Sequence, residues 1–235
     1  MSIAENIAIV KEKIARAAEA AGRDPGDILL IGATKMNDAD RVREAVEAGL
    51  PACGENRVQE LLEKNAVGAY EGSELHFIGT LQKNKAKYLV GTVKLIHSVD
   101  SVPLMAEISR QALKRGITQD ILLEINTGGE ASKSGMRPEE LPETLAAAGE
   151  YPGIFVRGLM TIPPICRLPE ENLPYFRLLQ QLFIDNGEKK YDNVRMDFMS
   201  MGMSGDYEAA IACGANMVRV GTAIFGRRNY PGVST

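Results

Sequence analysis

The 235-residue chain has no tryptophan, only two histidines and only three cysteines. The missing tryptophan excludes nothing about function. Cys53, Cys166 and Cys213 are far apart and odd in number, which fits neither a disulfide framework nor a zinc site. With only His76 and His97 to add, the chain is short of ligands for a transition-metal centre. No run of 18 apolar residues occurs, so no helix is expected to span a membrane. Basic residues are not in excess: 27 Lys and Arg stand against 31 Asp and Glu, and the net charge of -4 argues against a general nucleic-acid binder. The start, Met1-Ser-Ile-Ala-Glu-Asn-Ile7, lacks the basic-then-apolar layout of a signal peptide, and a cytoplasmic protein is expected. No linker, low-complexity tract or second-domain boundary is visible. Residues 1–235 read as one domain, whose 45% hydrophobic content suits a sizeable core.

What is present is an unbroken alternation of helical and strand patterns. Ile3, Ile7, Val10, Ile14 and Ala18 repeat at helical spacing before Gly22, predicting an amphipathic helix over 2–21. Docking on its own domain is the simpler use of that face; a membrane surface or a partner is the alternative. Strands are predicted at 28–34, 50–53, 75–78, 93–97, 121–126, 154–159, 194–199 and 216–220. Helices are predicted between them at 37–48, 55–65, 81–90, 101–115, 138–148, 173–186 and 206–213, several closed by glycine. Eight strands, each preceded by a helix, over this length predict an α/β fold of the (β/α)8 barrel type. The N-terminal helix would fill the gap beside the first strand, because too few residues follow Val220 for a full outer helix. An open, doubly wound sheet is the alternative, since alternation alone does not close a barrel.

Ile28-Leu-Leu-Ile31 reads as a strand buried on both faces, and it ends in Ala33-Thr-Lys35. A lysine at the carboxyl end of such a strand is partly desolvated, so its amine can attack a carbonyl and form a Schiff base. The plainer reading is a lysine that leaves the core and extends to water. In a barrel, reactive groups gather after the strands. After the seventh strand comes Ser200-Met-Gly-Met-Ser-Gly205, and after the eighth Gly221-Thr222. Ser204, Gly221 and Thr222 could form a phosphate site, with Ser204 capping the helix that begins near Gly205. A simple capped helix followed by a tight turn would look the same. Lys35 and these residues lie on neighbouring strands of a closed barrel. A ligand with both an aldehyde and a phosphate fits them: pyridoxal 5'-phosphate, or a sugar phosphate held by a Schiff-base aldolase.

Specific stretches carry a resemblance. Ala33-Thr-Lys35, Cys53-Gly-Glu-Asn-Arg-Val-Gln-Glu60, His76-Phe-Ile-Gly79, Leu81-Gln82 with Asn84-Lys85, and Ile96-His-Ser-Val-Asp-Ser101 resemble the YggS/PROSC family of pyridoxal phosphate homeostasis proteins. So do Ser132-Lys-Ser-Gly-Met136, Gly158-Leu-Met-Thr161, Ser200-Met-Gly-Met-Ser204 and Arg219-Val-Gly-Thr-Ala-Ile-Phe-Gly226. The resemblance runs from about residue 2 to 230, in order. It implies a single barrel similar to the N-terminal domain of alanine racemase, with pyridoxal phosphate bound covalently on Lys35. It also implies that Ser204, Gly221 and Thr222 contact the phosphate, that Arg219 stands beside the pyridine nitrogen, and that Asn56 lines the cofactor. The chain departs from the family at Thr34, where serine is usual, at Cys53, where an aromatic is usual, and in Met36-Asn37-Asp38, which lacks the customary proline. Cys53 is expected to loosen packing near the cofactor.

Other signals are weaker. Ser132-Lys-Ser-Gly135 after Gly128-Gly129 fails the spacing of a nucleotide-binding P-loop. Lys83, Lys85, Lys87 and Lys94 form a basic cluster that reads as a solvated face, with RNA or an acidic partner as the alternative. His76 and His97 sit in apolar runs and read as satisfied core or rim histidines. The resemblance implies a monomeric carrier or regulator that hands pyridoxal phosphate to apo-enzymes. A racemase-like enzyme is the alternative. Against it, no second domain is visible to supply an opposing acid or base, and Arg219 cannot accept a proton as an aspartate would, so the pyridine nitrogen should stay largely unprotonated and be a weak electron sink.

Overall fold

The computed structural model describes residues 1–130, 133–187 and 191–226. Helix α1 (Ile3–Ala20) begins in a capping box, in which Ser2 Oγ accepts from Glu5 N while the Glu5 carboxylate accepts from Ser2 N. It is followed by β1 (Leu29–Ala33), α2 (Ala39–Glu47), β2 (Ala52–Glu55), α3 (Val58–Ala66), β3 (Glu74–Phe77), α4 (Ala86–Leu89) and β4 (Leu95–Val99). The second half runs α5 (Val102–Lys114), β5 (Gln119–Glu124), α6 (Leu141–Ala148), β6 (Ile154–Met160), α7 (Leu173–Gly187), β7 (Val194–Ser200), α8 (Tyr207–Ala212), β8 (Met217–Val220) and α9 (Thr222–Phe225).

The eight strands pair in parallel in sequence order and β8 returns to β1, so the sheet is a closed barrel and not the open alternative. Strand alternation divides the side chains between two cores. Ile31, Ala52, Leu95, Leu122, Met160 and Met217 meet inside the barrel. Their chain neighbours Leu30, Cys53, Ile96, Leu123, Leu159 and Val218 point outward into the larger core beneath the helices. As expected, α1 fills the gap beside β1: it packs on α2, α8 and α9 and buries Ile3, Ile7, Val10, Ile14 and Ala18. Asn6 Nδ2 donates to Ile224 O at 2.8 Å, which ties α1 to the end of the barrel.

Several element starts differ from the sequence reading: the third helix begins at Val58 because β2 runs on to Glu55, and the helix expected from 138 opens with a 3-10 turn, Pro138–Glu140, before α6. The second strand starts at Ala52, because Pro51 has no N–H for the ladder and Leu50 turns outward to fill the space over Gly32, where a Cβ would stand 2.4 Å from Leu50 Cδ2. The helix expected over 81–90 is a short 3-10 turn, Lys83–Lys85, running into α4; Gln82 is extended, and Leu81 is buried. The basic cluster is divided accordingly. Lys83, Lys85 and Lys87 are exposed around α4, whereas Lys94 pairs with Glu74 at the amino end of the barrel. Among the described residues, no helix is long and apolar enough to cross a membrane.

Gly158 shows how tightly the barrel wall is built. Its φ is +141° and an added Cβ would stand 1.9 Å from Phe198 O on the paired strand. Gly116 also has a positive φ, +65°, but open space around it. Gly158→Ala is expected to cost at least about 3 kcal/mol, from strain plus displacement of β7. Gly116→Ala should cost roughly 1–2 kcal/mol. Urea unfolding midpoints of the two variants measure the contrast, and equal losses would contradict it.

Candidate functional site

Lys35 lies in the turn after β1 and is half-buried. Alternation places Leu29 and Ile31 on the inner side of the barrel, and continued past Ala33 it carries Lys35 to the inner side of the rim. The turn is held from behind by a buried polar cluster. Thr34 faces outward and is fully buried, and its hydroxyl donates to Glu55 Oε1 at 2.7 Å. The same oxygen accepts from Lys64 Nζ at 2.5 Å and from Tyr70 OH at 3.1 Å. Lys64 Nζ also donates to Thr34 O at 2.9 Å. Burial pushes the Glu55 carboxyl up from its usual range, against the pull of the Lys64 ammonium and the Thr34 hydroxyl. On the far side of Lys35, Met36 N donates to Glu60 Oε1 at 2.9 Å, and Asn37 Nδ2 donates to Lys35 O at 3.2 Å. Met36 has φ +61°, an uncommon conformation for a side chain of its kind, which these bonds hold in place. Asp38, where the family's proline would fall nearby, caps α2 through Arg41 N at 2.9 Å.

Arg219 lies opposite Ile31 in the β1–β8 register and projects into the barrel, 4% exposed. Its Nη1 donates to Ser200 Oγ at 2.5 Å and its Nη2 to Thr161 O at 2.8 Å. Burial lowers it to about 10, while the carboxylates of Glu124 and Asp206 oppose that shift. Glu124 itself is pushed up to about 7 by burial and then by the Asp100 carboxylate, with Arg219 pulling the other way. Gly221 follows β8 close to Ala33, whose Cβ is 3.3 Å from where a Cβ on Gly221 would stand. Thr222 opens α9 and is exposed.

Ser204 does not cap the helix after it. Asp206 turns its carboxylate back to Met203 N at 2.6 Å, and α8 starts only at Tyr207. Ser204 Oγ instead accepts from Gly221 N at 3.1 Å and from Ala223 N at 3.3 Å, joining the β7 and β8 loops. Asn56 is half-buried after β2, and its Oδ1 is buried without a hydrogen-bond partner. It lines a cleft with Arg57, Gln82, Lys85 and Tyr88. Gly79 fits against the Asn56 backbone, where a Cβ would approach Asn56 O to 2.2 Å.

The expectation for Cys53 needs correcting. Its side chain points outward into the helix-covered core, where Ser73 Oγ donates to Sγ at 3.5 Å and burial pushes the thiol up to about 11. It therefore packs away from the barrel interior. All three cysteines are free, and the described residues hold no cluster of His, Cys, Asp or Glu suited to a metal ion. Ser132, in the stretch Ser132-Lys-Ser-Gly-Met136, lies outside the described residues. Sequence reasoning missed Glu55, Lys64 and Tyr70 behind Lys35, and Ser200 and Glu124 around Arg219. A polar residue at an inward position of a strand was the available signal for Ser200 and Glu124. Nothing local marked Lys64 or Tyr70.

The comparisons agree with this geometry. The profile of the alanine racemase N-terminal domain matches residues 3–229. The pyridoxal phosphate homeostasis protein of Aquifex aeolicus is 46% identical over 230 residues, 98% of this chain and 100% of that protein. The chain belongs to the pyridoxal phosphate homeostasis protein family. The structure of PipY, the COG0325 family member of Synechococcus elongatus, with PLP bound superposes with a TM-score of 0.81 at 31% identity, covering 96% of this chain and 100% of that one. Alanine racemase of Corynebacterium glutamicum, at 14% identity and a TM-score of 0.69, shares the fold, and 62% of its chain is covered.

Two measurements test this electrostatic description. Lys64→Met leaves the Glu55 carboxylate buried without its cation, and is expected to cost about 3–5 kcal/mol in urea unfolding. Glu124 keeps its proton in the folded protein to about pH 7 but releases it near 4.5 when unfolded. Folded protein therefore binds the extra proton, and stability falls as pH rises through that window, by up to about 3 kcal/mol. Glu124→Gln should remove this loss, so its stability relative to the parent should grow between pH 4.5 and 7. A constant difference across that window would contradict the description.

Proposed function

We propose that this chain binds pyridoxal 5'-phosphate at the carboxyl end of the barrel, on Lys35, and holds it for transfer without strong catalysis of its own. The observation that carries the reading is the β1–β8 pairing, which sets the Lys35 turn beside Arg219, Gly221 and the Ser204-linked loop. The residues fit the group. A lysine amine forms a Schiff base with the aldehyde. The β7 and β8 loops meet where Ser204 Oγ accepts from Gly221 N and Ala223 N and keeps its own hydrogen to donate, and Thr222 adds an exposed hydroxyl, which suits a phosphate held by Ser204, Gly221 and Thr222. Asn56 Oδ1 is a buried acceptor still lacking a donor. PipY, 31% identical to this chain, has PLP bound.

Bound pyridoxal phosphate supplies an aldehyde for linkage to amines and an electron sink for carbanion chemistry. Arg219 can donate a hydrogen bond to the pyridine nitrogen but cannot hand it a proton, which weakens the sink. That supports a carrier over an enzyme, and the carrier we propose acts as a monomer in the cytoplasm and delivers the cofactor to apo-enzymes. A racemase-like enzyme is the second reading, favoured by Glu124, a buried carboxyl near Arg219 pushed up to about 7, the range suited to acid–base work.

Lys35→Ala should abolish both the visible absorption band of the loaded protein and the borohydride-fixed cofactor peptide. A label on another lysine would overturn the assignment. Ser204→Ala and Thr222→Ala should each weaken PLP binding by roughly ten- to a hundred-fold, equal to about 1.5–3 kcal/mol for a charged hydrogen bond. Binding of pyridoxal, which lacks the phosphate, should change little. Exchange of amino-acid α-protons in deuterated water at about 1 per second or faster would favour the enzyme. Negligible exchange with activation of an added apo-enzyme would favour the carrier.

A further inference from the structure

Behind Arg219 the barrel interior contains a line of polar side chains, Ser200, His97, His76 and Glu74, that the proposed binding of a cofactor does not use. Arg219 Nη1 is 2.5 Å from Ser200 Oγ, Ser200 Oγ is 3.0 Å from His97 Nδ1, His97 Nε2 is 2.9 Å from His76 Nδ1, and His76 Nε2 is 3.3 Å from Glu74 Oε2. Glu74 is the first residue of β3 and pairs with Lys94, just before β4, so the line ends at the amino face of the barrel. There it meets a cleft lined by Leu29, Pro51, Asp120 and Met217. His97 and Ser200 are fully buried and His76 nearly so.

The chemistry of the two ends sets one direction for the hydrogens. A guanidinium only donates, so Ser200 Oγ accepts from Arg219. Ser200 then donates its single hydrogen to His97 Nδ1, which leaves the His97 hydrogen on Nε2 to point at His76 Nδ1. The His76 hydrogen falls on Nε2 and meets the Glu74 carboxylate, which only accepts. The reverse order fails at both ends: Ser200 Oγ would accept from both Arg219 and His97 and leave its own buried hydrogen without an acceptor, and a bare His76 Nε2 would face a carboxylate oxygen. A buried donor or acceptor left without a partner is costly, so the forward order wins. Burial favours neutral rings in both histidines, which the forward order requires, and pulls His76 down to about 4.

We propose that His76, His97 and Ser200 are positioning residues, a one-way hydrogen-bond relay from Glu74 at the amino face that locks Arg219 as a fixed donor toward the barrel mouth. With Nη1 bound by the relay and Nη2 by Thr161 O, the guanidinium cannot swing about its side chain. The chain of dipoles also turns an oxygen lone pair toward the buried charge, which stabilises it where water cannot reach. The consequence for the cofactor rests on the reading that Arg219 faces the pyridine nitrogen; the direction of the relay does not.

The chain has only two histidines, so nitrogen-15 NMR of the cofactor-free protein at neutral pH reads both rings without assignment ambiguity. Both are expected as neutral tautomers with the hydrogen on Nε2. A hydrogen on Nδ1, or a doubly protonated ring, in either histidine would overturn the relay. In the loaded protein, Ser200→Ala and His97→Leu should each shift the pH midpoint of the visible band by about one unit, a tenfold change in proton affinity. His97→Gln, which offers one acceptor and one donor in the same order, should restore most of the midpoint. An unchanged midpoint in Ser200→Ala would overturn the positioning role. If the parent protein shows no visible band at all, the proposed function fails, and the tautomers alone decide the relay.

Discussion

One carboxylate oxygen, Glu55 Oε1, receives hydrogen bonds from Thr34, Lys64 and Tyr70 in a space closed to water. The candidate site depends on it. Glu55 ends β2, Thr34 follows β1, and Lys64 and Tyr70 come from α3 and the loop after it, so four segments meet at one atom. Lys64 then reaches Thr34 O, which fixes the backbone on the near side of Lys35, while Glu60 from α3 holds Met36 N on the far side. A lysine on an ordinary rim loop could sample many directions. Here the backbone on both sides is clamped, which narrows the directions the Lys35 side chain can take.

The barrel divides its polar residues by the same alternation that divides its apolar ones. Outward positions next to the rim carry the Glu55 cluster, which orders the β1 turn from behind. Inward positions carry Arg219, Ser200, His97, His76 and Glu124, which order the floor of the mouth. The two sets never share a hydrogen bond among the described residues. They converge through β1, whose turn holds Lys35 and whose inner face lies beside Arg219. Buried polar groups of this kind are costly unless satisfied, and their near-complete pairing is what permits so much polarity in a packed interior.

Much of this was legible in the chain itself. Glycine-closed helices alternating with aliphatic strands define an eight-fold unit, and the position of Lys35 after the first strand and of Gly221 after the last follows from local pattern alone. Those patterns are short-range: hydrophobic period, caps and turn residues act within a few positions. The departures came from packing that acted against those patterns. Pro51 and outward-turned Leu50 delayed β2, and the extended Gln82 broke the fourth helix into a 3-10 turn and a short α-helix, because packing of Leu50 and Leu81 outweighed propensity.

What only the tertiary structure decided is who meets whom across the barrel. Closure of β8 onto β1 brings residues almost two hundred positions apart to one rim, and alternation by itself is also compatible with an open sheet. Whether Cys53 faces the cofactor side or the helices depends on the parity of β2 relative to its neighbours, and the structure turns it outward. Ser204 was free to cap its own helix but instead binds Gly221 and Ala223, because the N–H groups a cap would serve, Asp206 N and Tyr207 N, already donate to Met203 O. Lys64 could have been one more solvated lysine on an amphipathic helix. Its burial against Glu55 arises from the way α3 lies over β1 and β2, a long-range packing that local residue spacing does not encode.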